Sequence, residues 1–157
     1  MIVLDTNVLS ALMQRVPEPR VVIWLDEQPD TSVWITSITL FEARFGLALL
    51  PKGKRRQSLE TAFDQLLADD LEGRVLEFDR AAAEAAALLA AERQRAGRPV
   101  DIRDTQIAGI VLARHARLAT RNIKHFSDLG ARVVNPWEPG SSDLRVQEAT
   151  IGPARRG

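Results

Sequence analysis

Met1-Ile-Val-Leu-Asp5-Thr-Asn-Val-Leu-Ser10 is the stretch that decides how this chain is read. Ile2, Val3 and Leu4 form an apolar run too short for a buried helix and suited to a buried strand. Asp5, Thr6 and Asn7 follow at once, and all three are good helix N-cap types. A strand that turns into a helix start within a residue opens a βα unit. It also leaves a carboxylate at the strand's carboxyl end, where open parallel sheets bind their ligands.

The same punctuation recurs along the chain. Val33-Trp34-Ile35 reads as a second strand, with Thr36 and Ser37 capping a helix that runs through Glu42 to about Leu50. Val75 to Phe78 reads as a third strand, and Asp79 caps an Ala-rich helix to about Ala96 that Gly97 and Pro99 end. Asp101 begins a further helix with Ile107, Ile110, Val111 and Leu112 facing inward. Arg117 to Thr120 and Arg132 to Asn135 complete the strands, the last closed by Pro136-Trp137. Helical spacing is also present over Val8 to Arg15, after Pro17 and Pro19, and over Lys54 to Ala68. The expected fold is α/β: a three-layer α/β/α sandwich around a central, mostly parallel sheet of about five strands. Residues 1–138 read as one domain, and residues 139–157, rich in Gly, Ser and Pro, as a flexible C-terminal tail.

Composition narrows the function classes. A length of 157 residues matches one domain of roughly 150. With 45% hydrophobic and 27% charged residues the chain is neither disordered nor a coiled coil. The 21 basic residues balance 21 acidic ones, so no overall field draws in a polyanion and nucleic-acid binding must use local patches. Lys52-Gly-Lys-Arg-Arg56 is one such patch; Arg114, Arg117, Arg121 and Lys124 are another. The absence of cysteine excludes disulfides, thiolate metal sites and cysteine nucleophiles. No apolar run approaches the roughly 18 residues of a membrane helix, and Met1–Leu4 reaches Asp5 without the basic start of a signal peptide, so a cytoplasmic protein is expected.

The residues at the expected active edge are Asp5, Glu42, Asp104, Thr120 and Asn122. Each has a structural reading beside the chemical one. Asp5 reads equally as a cap, and Glu42 as an ion-paired helix residue, with Arg44 or another arginine. Asp101 and Asp104 have capping-box spacing, and Asn122 fits the N-cap of a turn at Ile123–Phe126. His115 and His125 have no partner at ligand spacing and read as surface residues. Taken together, three carboxylates with no Cys or His expected nearby suit Mg²⁺ or Mn²⁺, ions that activate water and stabilise charge on a phosphate. A receiver-type phosphotransfer protein is the other enzyme class with acids at strand ends. Asp79 opens a helix and Lys124 is the only late lysine, so that pattern fits poorly.

These blocks resemble the PIN-domain ribonucleases, in particular the VapC and FitB branch of type II toxin–antitoxin systems. Val3-Leu-Asp-Thr-Asn-Val-Leu9 is similar to the family's opening strand. Ser37-Ile-Thr-Leu-Phe-Glu42-Ala-Arg-Phe-Gly46 is similar to its second acidic motif, and Asp104-Thr-Gln-Ile-Ala-Gly109 to its third. Leu118-Ala-Thr120-Arg-Asn122-Ile-Lys-His-Phe126 is similar to the fourth block, and Val133-Val-Asn-Pro-Trp137 to the closing strand. The five blocks stand in order over about residues 1–138.

The resemblance implies a Mg²⁺- or Mn²⁺-dependent endoribonuclease toxin that cuts RNA, tRNA among the candidates. It also implies a homodimer neutralised by a cognate VapB/FitA-type antitoxin. It makes Asp5, Glu42 and Asp104 the metal-binding carboxylates, with Thr120 beside them. Asn122 departs from the family, many members of which place an Asp there. The exchange keeps a carbonyl but loses a charge, which implies a weaker second-metal site or a single ion. The alternative is a catalytically weak PIN-like module that acts with its antitoxin as a DNA-binding regulatory complex. The apolar helix faces at Val21–Leu25 and Leu40–Leu50 are candidate surfaces for the second subunit or the antitoxin.

Overall fold

The computed structural model describes residues 1–138 and 140. The expected tail of residues 139–157 therefore lies outside the described residues, apart from Gly140.

Five parallel strands form one sheet in the order β3-β2-β1-β4-β5. They are β1 (Ile2–Leu4), β2 (Val33–Thr36), β3 (Val75–Leu76), β4 (Arg117–Ala119) and β5 (Val133–Val134). β1 is central: Val3 pairs with Trp34 of β2 on one side and with Leu118 of β4 on the other. All pairs are parallel, so the expectation of a mostly parallel sheet becomes an all-parallel one. The strands are also shorter than their apolar runs. At β3 the ladder stops at Leu76, and the Phe78 N–H turns to the Ser37 hydroxyl at 3.1 Å.

Alternation along β1 assigns its side chains to the two faces. Ile2 and Leu4 pack with Val8, Val21, Trp24 and Phe63. These come from α1 (Thr6–Met13), α2 (Pro19–Asp26) and α4 (Lys54–Gln65). Val3 packs on the opposite face with Ala82, Leu89, Ile107 and Val111, from α5 (Arg80–Arg95) and α6 (Ile102–Ala113). This gives the three layers. α3 (Ser37–Leu49) starts at the carboxyl end of β2, with the Thr36 hydroxyl accepting the Thr39 N–H. The α-helical bonding of α4 ends at Gln65 and widens into a π turn at Leu66–Asp70, so that helix is shorter in regular form than its apolar spacing suggests.

α5 and α6 approach closely because Gly109 has no side chain. A Cβ there would sit 2.6 Å from the Ala82 carbonyl oxygen and 2.6 Å from the Ala86 Cβ. Small residues on both helices are thus what lets α5 and α6 pack this closely. That placement brings the first turn of α6, with Asp104, to the carboxyl edge of β1.

Candidate active site

The strand order reverses between β1 and β4, and this switch point is where an open parallel sheet leaves a crevice at its carboxyl edge. Asp5 leaves β1 there and Thr120 leaves β4. Both are buried, Asp5 at 4% exposure and Thr120 at 0%. The Thr120 hydroxyl donates to Asp5 Oδ2 at 2.8 Å and accepts from the Asn122 N–H at 3.0 Å. Asn7 completes the knot: its Nδ2 lies 3.3 Å from Asp5 Oδ2 and 3.2 Å from Thr120 Oγ1, and its Oδ1 accepts the Arg121 N–H. Asp5 also caps α1 by accepting the Thr6 N–H at Oδ1, 2.8 Å away. The capping reading and the site reading of Asp5 are therefore compatible: one oxygen caps, while the other is held by β4.

Glu42 lies in the second turn of α3, half-buried. Its Oε1 accepts the Thr6 hydroxyl at 3.0 Å, and its Oε2 lies 3.7 Å from the Arg103 guanidinium. Arg44, the neighbour that sequence spacing suggests as its partner, pairs with Asp64 instead. The Arg103 guanidinium rests over two exposed, mutually stacked rings, Phe41 and Phe45, 5.6 and 5.8 Å from their centroids. Asp104 occupies the first turn of α6, and its N–H is capped by Asp101 Oδ1 at 3.0 Å. Asp101 is thus the expected cap. Asp104 Oδ2 accepts from His125 Nδ1 at 2.8 Å. A carboxylate can only accept, so the ring nitrogen donates.

These placements bring Asp5, Glu42 and Asp104 to one edge. Burial pushes the Asp5 carboxyl up to about 6 from its ordinary 3.8, and the negative charges of Asp104 and Glu42 push the same way. The Thr120 and Thr6 hydrogen bonds oppose that rise. A carboxylate raised by burial and by two like-charged neighbours would be relieved by a cation. The donor set is oxygen only, which fits Mg²⁺ or Mn²⁺. Among the described residues no three acidic or histidine side chains stand at direct ligand spacing, and Asp5, Glu42 and Asp104 each bond to protein partners. Mg²⁺ keeps several of its waters, so one or two carboxylates in direct contact with water completing the shell is the arrangement these residues fit.

Asn122 sits apart from this group. It is exposed, its Nδ2 lies 3.4 Å from His125 Nδ1, and its side chain caps no turn, contrary to the N-cap expected of it. Its backbone N–H, through Thr120, is its link to Asp5.

Sequence reasoning missed four residues here. Thr6 and Asn7 are bonded to Glu42 and Thr120, and the signal was their place in the first turn after Asp5. His125 contacts Asp104 rather than being a free surface residue. Arg93 is 4% exposed and grips Asp128 with two hydrogen bonds of 2.7 and 2.8 Å. It also donates to Thr105 Oγ1 and to the His125 carbonyl, so it ties α5 both to α6 and to the 3₁₀ segment Ile123–Arg132. The expected basic group of Arg114, Arg117, Arg121 and Lys124 does not form one patch. Arg114 pairs with Asp79, and Arg121 lies over the Trp137 ring.

Fold and site together define an α/β protein with an acidic, oxygen-only site at the switch point of a parallel sheet. The PIN domain family model matches residues 2–131, and the chain belongs to that family. VapC ribonuclease Y4jK of Sinorhizobium fredii is 39% identical over 139 residues, which cover 88% of this chain and 99% of that protein. Toxin FitB of Neisseria gonorrhoeae is 34% identical over 137 residues, covering 87% of this chain and 99% of FitB. The solved structure of FitAB bound to an IR36 DNA fragment superposes with a TM-score of 0.80 at 34% identity, covering 88% of this chain and 96% of the matched one. Among the described residues no helix is long and apolar enough to cross a membrane.

Proposed function

We propose that this protein is a Mg²⁺- or Mn²⁺-dependent endoribonuclease toxin of a type II toxin–antitoxin pair, a homodimer held inactive by a VapB/FitA-type antitoxin. The observation that carries this reading is the convergence of Asp5, Glu42 and Asp104 on one edge, where the charges of the last two act on the first. The names of the relatives, a VapC ribonuclease and a toxin, support the activity and its biological setting.

Asp5, Glu42 and Asp104 are the residues that would hold the ion, which when bound supplies an activated water and offsets charge on the phosphate. Thr120 and Asn7 fix the Asp5 carboxylate in one orientation. Thr6 does the same for Glu42, and His125 for Asp104. Side chains so restrained lose little freedom when they take up an ion. Calorimetric titration with Mn²⁺ tests the assignment. Saturable binding that Asp5→Ala and Asp104→Ala each weaken at least about tenfold is expected, since losing even a group that only supports a ligand costs about that much. Unchanged binding in both variants would overturn it.

A second reading is a PIN-like module that acts on DNA with its antitoxin. It is favoured by the exposed, neutral Asn122 and by the FitAB complex with DNA. It requires that the purified chain bind the ion weakly and leave RNA intact.

A further inference from the structure

A nuclease must hold its substrate on both sides of the bond it cuts, and one cleft shares a wall with the acidic site. It encloses about 190 Å³. Asp101 and Asp104 line it together with Arg93, Arg98, Lys124 and His125. The acids come from the start of α6 and the bases from the end of α5 and the segment after β4, with His125 bonded to Asp104 between them.

The basic side is built rather than incidental. α5 ends with Gly97 at φ 68°, the left-handed conformation that glycine adopts without penalty. The Arg98 N–H returns to the Arg93 carbonyl at 2.9 Å and the Gly97 N–H to the Gln94 carbonyl at 3.1 Å, the paired bonds of a Schellman turn. The turn sets the Arg98 side chain against the Ile123–Arg132 segment. There it donates to the Ser127 hydroxyl at 3.0 Å and the Lys124 carbonyl at 3.4 Å. Arg93 and Arg98 both spend charge on the same carboxylate, Asp128. The Lys124 ammonium has no carboxylate partner among the described residues and is exposed. Two arginines on one aspartate, with a free lysine beside them, leave this wall positive in a chain whose overall charge is zero.

We propose that this cleft is the subsite for an RNA phosphate neighbouring the one cleaved, with Lys124 as the cation that contacts it and Arg98 fixing the Lys124 backbone. The inference rests on the nuclease reading above, because continuity with Asp104 is what assigns a nucleic-acid phosphate to the cleft rather than an acidic peptide. It also separates the two basic clusters of the sequence. α3 ends at Leu49, seven residues and roughly 10 Å along its axis past Glu42, so the Lys52–Arg56 group follows the end of that helix remote from the site. Arg56 is moreover spent on Glu60 and on the carbonyls of Ala48 and Leu50.

Fluorescence anisotropy with a labelled single-stranded RNA, in EDTA so that nothing is cut, tests the subsite. Lys124→Ala is expected to weaken binding about threefold to tenfold at low salt and to lower the slope of log affinity against log salt by about 0.7, the value for one phosphate contact on a single strand. Lys124→Arg is expected to restore both, and Lys52→Ala to leave both at the wild-type values. Wild-type affinity and slope in Lys124→Ala, as an acidic-peptide site would give, would overturn the subsite alone. An equal loss in Lys52→Ala would do the same by making the charge effect non-local. Failure of the wild-type chain to bind RNA at all would overturn the subsite together with the nuclease reading.

Discussion

Thr120 donates its hydroxyl hydrogen to Asp5 Oδ2 at 2.8 Å across 115 residues of sequence, and this bond joins the carboxyl ends of the two strands that flank the switch point. The hydroxyl is also the acceptor for Asn7 Nδ2 and the Asn122 N–H, so its full capacity of one donor and two acceptors is used. Thr120→Val keeps the shape but removes the acceptor of the Asn122 N–H and leaves Asp5 Oδ2 and Asn7 Nδ2 only their bond to each other. It is expected to cost about 2 kcal/mol, the penalty for leaving buried polar groups unpaired, whereas Thr120→Ser stays close to wild type. Urea midpoints of the two variants, read side by side, check this.

The raised carboxyl of Asp5 makes stability depend on pH in an unusual direction. A folded value of about 6 against 3.8 in the unfolded chain means the folded state binds the proton more tightly. That contribution is complete below about pH 3.8 and is lost as pH rises through about 6. In EDTA the protein should lose up to about 3 kcal/mol of stability across that window from this group. Asp79 and Asp128 are held below the ordinary carboxylate value by Ala82 N–H and Arg114 and by Arg93 respectively, so they act only at lower pH and with the opposite sign. Denaturant unfolding at a series of pH values, with Asp5→Ala as the reference, isolates the effect. The variant is expected to show a flatter curve between about pH 4 and 6, and Mn²⁺ should flatten that of the wild type.

Gly109→Ala is expected to destabilise the fold although alanine is the better helix former by about 1 kcal/mol. The added Cβ would meet the Ala82 carbonyl and the Ala86 side chain at 2.6 Å, and backbone cannot yield cheaply. A net loss of about 2 kcal/mol is expected, the usual scale of overpacking. A rise in melting temperature would show that α5 and α6 separate freely.

Arg93→Leu removes the guanidinium that holds Asp128, Thr105 and the His125 carbonyl together. The expected cost is about 3 kcal/mol, since Asp128 is left without its main partner while Arg98 remains at 3.3 Å. Arg93→Lys keeps the charge but not the two-pronged grip, and is expected to recover about half of the loss. Because the His125 carbonyl is one of the three contacts, a folded Arg93→Lys protein should also lose about tenfold or more in cleavage rate, with the loss in kcat rather than KM. Equal rates would show that the segment holds His125 on Asp104 unaided.

The carboxylates were legible in the sequence because each is placed by a local rule. Asp5 ends a strand, Asp104 follows its cap by three residues, and Glu42 lies six residues past the Thr36 cap, in the second turn, inside an apolar run. Their partners were not legible, since those contacts join distant elements. Thr6 reaches Glu42 over 36 residues, His125 reaches Asp104 over 21, and Arg93 reaches Asp128 over 35. Which face of a helix meets which loop depends on packing, and here on details such as the missing side chain at Gly109. The same reason misled the grouping of Arg114 and Arg121 with Lys124: adjacency in sequence does not keep three side chains on one surface once a helix end, a strand and a loop intervene.

The central claim is that Asp5 and its two acidic neighbours make a metal-dependent ribonuclease. Purified, partner-free protein incubated with total RNA and Mg²⁺ or Mn²⁺ tests it most directly, with EDTA and Asp5→Ala reactions run alongside. Discrete fragments that disappear in EDTA and with Asp5→Ala are the predicted result. Intact RNA in every reaction of a folded, partner-free wild-type protein, or fragments that persist with Asp5→Ala, would contradict the claim.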